Sequence, residues 1–249
     1  MINVFVNGCN GRMGQIVVSQ ILKSENLNYV GGFDIKKDST SNFPCFDNID
    51  NINVPIDVII DFSYVDGTFN ILNYALRKQI PIVIATTGFS KEQEDRILEY
   101  SKNIPIFKSA NMSYDICLMS KIVTEVAKKL TDADIEIVET HHNQKVDSPS
   151  GTALLLANAI NNSVVDKKEY VFDRHTKKEK RSKNEIGFSS IRGGNIVGEH
   201  SVQFFSQYET FEIKHTAYSR ELFADGALKA SEFIVKQKEN RIYDMNDLM

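Results

Sequence analysis

The sequence predicts an α/β protein in two parts: a doubly wound parallel-sheet domain, and a second, α+β domain with an open mixed sheet. Three observations predict this. Short β-branched runs alternate with helical patterns over the first hundred or so residues. Such mostly apolar strands suit a sheet covered on both faces. A glycine-punctuated turn separates the first of these runs from the first helix. Beyond about residue 113 the alternation gives way to one long amphipathic helix and then to strand-like runs with few helical signals between them.

Residues 2–6, 29–33, 56–62, 80–85 and 104–107 read as strands, and 14–25, 67–79 and 91–103 as helices with apolar residues at helical spacing. Strand–helix–strand alternation implies right-handed crossovers and a parallel sheet. Residues 115–130 place Ile116, Met119, Val123, Val126, Ala127 and Leu130 on one helical face, the stripe that a packed helix needs. Residues 135–140 read as a strand ending at His141 and His142, and 152–161 as a short helix. Residues 170–172, 186–191, 196–205 and 211–216 read as strands of an antiparallel or mixed sheet, and 220–238 as a final helix with Leu222, Phe223, Leu228, Phe233 and Ile234 available for packing. No internal repeat is evident.

Composition narrows the class. The chain has 249 residues, 42% of them hydrophobic, and a net charge of -4, which suits a soluble globular protein and gives no reason to expect nucleic acid or an anionic membrane as partner. No apolar run approaches the ~20 residues of a transmembrane helix. The N-terminus reads directly as a strand, so no signal peptide is expected. Cys9, Cys45 and Cys117 have neither metal-ligand spacing nor the look of a disulfide framework, which suits a reduced, cytoplasmic protein. The basic run at 174–183 lacks aromatic interleaving and reads as a solvated loop.

Gly8-Cys9-Asn10-Gly11-Arg12-Met13-Gly14 follows the first strand and opens the first helix. Gly8 permits the tight turn, Gly11 the approach of a pyrophosphate, and Gly14 close packing of helix on strand. Asp34 stands at the end of the second strand, where a carboxylate binds adenosine ribose hydroxyls. The pattern is that of a Rossmann-type dinucleotide site. Asp34 favours NADH, while Lys36 and Lys37 just beyond it suit a 2′-phosphate, so both NADH and NADPH stay open. Two further loops, Ala85-Thr86-Thr87-Gly88-Phe89 and Ser109-Ala110-Asn111-Met112-Ser113, fall at the carboxyl ends of later strands, where ligands of such sheets bind.

A second constellation runs from Glu139 to Thr152. His141 and His142 serve one pocket only if the strand has ended, and Asn143 and Pro149 suggest that it has. Lys145 follows on the same loop. Pro149 suits a helix first turn with Asp147 or Ser148 as cap, leaving the backbone N–H groups of Gly151 and Thr152 to bind a carboxylate. Imidazole and amine are proton donors, so the stretch reads as a site that holds a small acid and protonates it. No third ligand stands near the two histidines, and no metal is expected.

These motifs resemble the dihydrodipicolinate reductase family, also called 4-hydroxy-tetrahydrodipicolinate reductase, over nearly the whole chain. The likeness includes Val6-Asn7-Gly8 through Gly14, Asp61-Phe62-Ser63, Thr86-Thr87-Gly88-Phe89, Ala110-Asn111-Met112-Ser113, Glu139 through Ala153, Ile196-Val197-Gly198-Glu199-His200 and His215-x-Ala217-x-Ser219-Arg220. The resemblance implies reduction of a cyclic imine dicarboxylate by NADH or NADPH to tetrahydrodipicolinate. It implies His141 and Lys145 as catalytic proton donors, and His142, Gly151 and Thr152 as the residues binding the substrate carboxylates. It implies cofactor contacts at Gly8, Asn10, Gly11, Arg12, Met13, Gly14, Asp34, Ala85, Thr86, Thr87, Ala110, Asn111 and Met112. It further implies a dinucleotide-binding domain of residues 1–112 and 220–249, a substrate-binding and oligomerisation domain of residues 113–219, and a homotetramer built through the second sheet. Ala85 stands where the family usually has glycine, and Tyr64 where some members carry a basic residue. Two other readings compete: another Rossmann oxidoreductase of amino-acid metabolism, such as an aspartate or homoserine dehydrogenase, and a non-enzymatic dinucleotide sensor. Neither requires His-His-x-x-Lys before Pro-Ser-Gly-Thr.

Overall fold

The computed structural model describes residues 1–35 and 43–249. Lys36 and Lys37 lie outside the described residues. The chain divides into two compact units, Met1–Ser113 with Arg220–Met249, and Tyr114–Ser219. It begins with β1 (Ile2–Asn7), α1 (Arg12–Ile21), β2 (Leu27–Phe33), β3 (Cys45–Phe46), β4 (Val58–Asp61), α2 (Val65–Lys78), β5 (Ile82–Ile84), α3 (Lys91–Ser101) and β6 (Ile106–Lys108). The second unit holds α4 (Tyr114–Lys129), β7 (Asp134–His141), α5 (Gly151–Ser163), β8 (Glu169–Val171), β9 (Glu185–Arg192), β10 (Gly198–Phe205) and β11 (Thr210–Ala217). With α6 (Glu221–Ile234) and β12 (Ile242–Tyr243) the chain returns to the first unit.

In the first unit seven parallel strands lie in the order β12-β6-β5-β4-β1-β2-β3. β1 sits between β2 and β4, where the direction of strand addition reverses. Open parallel sheets bind ligands beyond the carboxyl ends of the strands at such a point. Val4, Phe5 and Val6, residues 58–60 and residues 82–84 are entirely buried, which explains why these strands carry apolar residues at consecutive rather than alternate positions. The returning segment is part of this core. Phe233 of α6 meets Phe107 and Tyr243 edge-on at 6.3 and 5.6 Å between ring centroids. At Gly226 of α6 a Cβ would fall 1.7 Å from the Met112 carbonyl oxygen, so helix and chain make contact there only through glycine.

The second unit carries a five-stranded sheet in the order β11-β10-β7-β9-β8. β7 runs antiparallel to β10 and parallel to β9, so the sheet is mixed. Ile116, Met119 and Val123 of α4, with Leu156 and Ile160 of α5, pack in one cluster with Ile135, Ile137, Val202 and Phe204. Burial along β7 alternates strictly, and its inward residues are Ile135, Ile137, Glu139 and His141. The face that begins as hydrophobic core therefore ends in a carboxylate and an imidazole. No helix among the described residues is long and apolar enough to cross a membrane.

The basic run at 174–183 is a mostly exposed loop between β8 and β9, as expected, but three of its cations are paired. Arg174 pairs with the buried Glu185, Lys177 reaches Glu169 at 3.4 Å, and Arg181 pairs with Glu136 and reaches Asp134 at 3.2 Å. Carboxylates at the starts of β7, β8 and β9 claim these cations, a pairing that sequence distance hides.

Candidate active site

In the first unit the turn after β1 is closed by glycine geometry. Gly8 has φ +78°, and a Cβ there would lie 2.6 Å from the Phe62 carbonyl oxygen. A Cβ at Gly14 would lie 2.0 Å from the Gly8 carbonyl oxygen. α1 starts at Arg12 with Gly11 as its cap and no side-chain cap bond. The first N–H groups of a helix have no intrahelical acceptor and favour an anion. A cavity of about 460 Å³ opens here, lined by Gly8, Asn10, Gly11, Arg12, Asp34 and Tyr64 among others. Asp34 accepts the backbone N–H of Asn10 at 3.0 Å, which fixes its carboxylate against the turn. Met13 is half-buried and Gly14 lies behind the turn, buried. These residues fit a dinucleotide: a cradle without side chains, an anion-binding helix end and a carboxylate at the second strand's end.

Asp61, fully buried at the end of β4, ties this turn to its neighbours. Its Oδ1 accepts from Asn7 Nδ2 at 2.7 Å and Ser63 Oγ at 2.5 Å; its Oδ2 accepts from Thr68 Oγ1 at 2.6 Å and Thr86 Oγ1 at 2.9 Å. Burial raises its carboxyl above the ordinary range, and these four bonds oppose that. Thr86 thus faces inward, and its hydroxyl also accepts Ser63 N–H at 3.2 Å. None of Ala85, Thr86, Thr87, Ala110, Asn111 or Met112 lines the cavity. Thr87 and Ala110 are exposed, Met112 is buried, and the Asn111 side chain accepts Ser113 N–H at 2.8 Å. Beside the turn the thiols of Cys9 and Cys45 touch at 3.6 Å, a proximity no sequence spacing announces.

In the second unit, β7 ends at His141, the last buried residue of its alternating pattern. Glu139 Oε2 meets His141 Nδ1 at 2.5 Å. Arg192 grips the same carboxylate through both Nη atoms, at 2.8 Å to Oε2 and 2.7 Å to Oε1. Burial pushes the Glu139 carboxyl up, but hydrogen bonds from His141, Arg192 and Ser190 reverse this and hold it well below the usual carboxylate range. His142 is half-buried and lies just past the strand. Lys145 pairs with Asp147 at 2.8 Å. Gly151 and Thr152 are the first two residues of α5.

The cap of α5 differs from expectation. It is Ser150, not Asp147 or Ser148: Ser150 has extended backbone, and its hydroxyl accepts Ala153 N–H at 3.2 Å. Pro149 therefore precedes the cap instead of filling the first turn. Ser150 N–H also donates to Glu139 Oε1 at 3.2 Å.

Four site members lie outside the sequence-derived set: Glu139, Ser150, Arg192 and His200. Glu139 was legible, since it shares a face with His141 two residues on. His200 is buried and hydrogen-bonded at the same site. It pairs across the sheet with Glu139, touches His141 edge-on at 5.1 Å between ring centroids, and lies 3.0 Å from Ser150 Oγ through Nε2. Burial, reinforced by His141, pushes it down to about 3, so it is neutral at physiological pH. Among the described residues no group of three His, Cys, Asp or Glu is placed to hold a metal ion.

Comparison with known proteins follows the same division. Residues 2–112 match the model described as "Dihydrodipicolinate reductase, N-terminus", and residues 115–249 the corresponding C-terminal model. The chain is 48% identical to 4-hydroxy-tetrahydrodipicolinate reductase of Clostridium tetani, covering 100% of this chain and 97% of that protein. It is 37% identical to the enzyme of that name from Methanocorpusculum labreanum, covering 100% and 99%. Among solved structures, a dipicolinate-bound dihydrodipicolinate reductase from Paenisporosarcina sp. TG-14 superposes with TM-score 0.81 at 24% identity over 99% of each chain. An aspartate dehydrogenase from Thermotoga maritima superposes with TM-score 0.52 at 11% identity, covering 96% of this chain and 98% of that one, so the fold alone does not separate the two activities. Sequence similarity over the full length does: the chain belongs to the dihydrodipicolinate reductase family.

Proposed function

We propose that this protein reduces the cyclic imine dicarboxylate derived from 4-hydroxy-tetrahydrodipicolinate to tetrahydrodipicolinate, with NADH or NADPH, in the diaminopimelate route to lysine. The observation that carries the reading is the end of β7, where an imidazole on a buried carboxylate, an amine and a helix N-terminus fall within residues 139–152. This set suits a small dicarboxylate that must be held and protonated.

Residues 1–112 with 220–249 serve as the dinucleotide-binding domain. Gly8, Asn10, Gly11, Arg12, Met13 and Gly14 hold the pyrophosphate end and Asp34 the adenosine ribose. The backbone of Ala85, Thr86, Thr87, Ala110, Asn111 and Met112 borders the nicotinamide end. The reduced nicotinamide, when bound, supplies the hydride. Residues 113–219 bind substrate. Gly151 and Thr152 present N–H groups at the start of α5 to one carboxylate, His142 adds a donor to the other, and this orientation lowers the entropic part of the barrier. Hydride addition to an α,β-unsaturated imine leaves an enamine-like anion that must gain a proton. His141 and Lys145 supply it, each as a positioned acid. The second sheet joins four copies of the chain, which works in the cytoplasm.

A coupled assay tests this. Aspartate semialdehyde and pyruvate are condensed by the preceding enzyme, and oxidation of NADH and NADPH is followed separately. Oxidation that depends on the condensation product is expected; none above background with either cofactor overturns the proposal.

A further inference from the structure

Glu139 divides its two buried oxygens between two halves of the second-unit site. Oε2 holds Nδ1 of His141, and Oε1 holds the backbone N–H of Ser150, the cap of α5. Arg192 bridges both oxygens and donates to the Asp147 carbonyl at 2.7 Å, so the loop between β7 and α5 hangs on the same pair. With Nδ1 engaged, Nε2 is the His141 nitrogen left for proton exchange. Gly198 keeps that nitrogen uncrowded, since a Cβ there would come within 3.0 Å of it.

From this geometry we infer that Glu139 is a positioning residue for the reduction. It fixes the ring nitrogen that His141 presents and sets the carboxylate-binding end of α5 in register with it. Arg192 holds the same carboxylate in place and ties the loop between β7 and α5 to it. This role rests on the function proposed above. An anion beside an imidazole favours the protonated ring, and a cation beside that anion weakens the effect. The two partners therefore act on His141 with opposite sign. The other polar and titratable groups around them are Ser190 on β9, His200 on β10, His215 on β11 with Asp115 of α4 near it, and Lys145 and Asp147 on the loop. None of these groups is substituted in the variants below.

The test compares full-length wild type, Glu139→Gln and Arg192→Gln. Steady-state kinetics on the imine are taken across pH. ¹⁵N-histidine spectra are recorded without substrate, with His141→Gln assigning the signal. Glu139→Gln is expected to lower kcat on the order of a hundredfold, the scale of a positioned acid. It should also move the alkaline limb of the pH profile to lower pH and weaken the Nδ1–H signature of His141. Arg192→Gln is expected to move that limb to higher pH. Glu139→Asp, which keeps the charge, should leave the limb near its wild-type place. Shifts of the same sign in Glu139→Gln and Arg192→Gln overturn the inference, as does an unchanged limb and ¹⁵N signature in a Glu139→Gln protein that is merely less stable. If Glu139→Gln does not fold, the direction of the Arg192→Gln shift decides alone. Failure of wild type to reduce the imine strikes the proposed function instead, and the ¹⁵N signature, read without substrate, still tests the positioning.

Discussion

Residues two apart on a strand share a face, and this alone puts Glu139 behind His141. The register of the sheet adds His200 opposite Glu139 and Arg192 beside His141. No local pattern announces those two, because each comes from a strand some fifty to sixty positions on. His141→Ala and Lys145→Ala should each lower turnover by roughly 10²–10⁴, as loss of a positioned acid does. Dinucleotide affinity, measured by fluorescence titration, should survive both; equal loss of affinity would show that these residues do not belong to the acid site. His200 makes a separate prediction for stability. Burial holds it down to about 3 in the fold, against 6.5 for a free side chain. The unfolded chain therefore binds more protons between those values, and the associated stability is present above about pH 6.5 and lost as pH falls. His215 is shifted the same way by burial. Glu139, held low, loses its own contribution only as pH falls through the ordinary carboxylate range, and Asp61, held high, acts with the opposite sign, so the His200 share between pH 6.5 and 5 is read as the difference between wild type and His200→Gln. Urea denaturation there should show stability falling by up to about 1.4 kcal/mol per pH unit for each histidine. His200→Gln should flatten that slope, and an unchanged slope would mean His200 is charged in the fold.

Elements with a strong period were legible, and those without one were not. β1, β4, β5 and β6 show as mostly apolar runs because both sheet faces are covered. β7 shows as alternation because helices cover one face of its sheet. β3 and β12 have two residues each, too few for any periodicity, and exist only because a neighbouring strand offers an edge. The cap of α5 was misplaced because Asp147, Ser148 and Ser150 are all good caps, and the choice depends on where Glu139 holds the Ser150 N–H. The glycine turn after β1 was legible, but the carboxylate that anchors it was not: Asp61 gathers donors from the ends of β1 and β5, from α2 and from the turn before α2. Asp61→Asn keeps the shape but places an NH₂ group against at least one of those donors. An unpaired buried donor costs about 1–3 kcal/mol, so thermal stability should fall. Ser63 and Thr86 should loosen with it, raising the dissociation constant for NADH severalfold while the pH profile of the reduction stays put. A variant that loses stability but keeps wild-type NADH affinity would confine Asp61 to folding.

At the scale of the whole molecule, the chain leaves its first unit after Ser113 and re-enters it at Arg220. The re-entry is structural: β12 pairs with β6, and Phe233 packs on Phe107. A sequence read for local periodicity sees the final helix but not the sheet it serves, so this return came from family resemblance rather than from pattern. The exit and re-entry points are close, because the Met112 carbonyl lies against Gly226 in α6. Gly226 is five residues into that helix, which at 1.5 Å per residue sets its start roughly 8 Å away along the axis. A linker of about six residues spans that gap at roughly 3.3–3.6 Å each. Insertion of one domain into another is tolerated where the two ends lie together. Replacing residues 114–219 by Gly-Ser-Gly-Ser-Gly-Ser should therefore leave a folded dinucleotide-binding unit that keeps parallel-sheet circular dichroism and binds NADH within about tenfold of the full chain. It should have no reductase activity, since His141, Lys145 and the α5 N-terminus leave with the excised segment. Deleting residues 220–249 instead should unfold the first unit, because it strips β6 of its outer neighbour and Phe107 of its cover. If the excised protein is unfolded while the C-terminal deletion still binds NADH, the returning segment does not complete the dinucleotide unit.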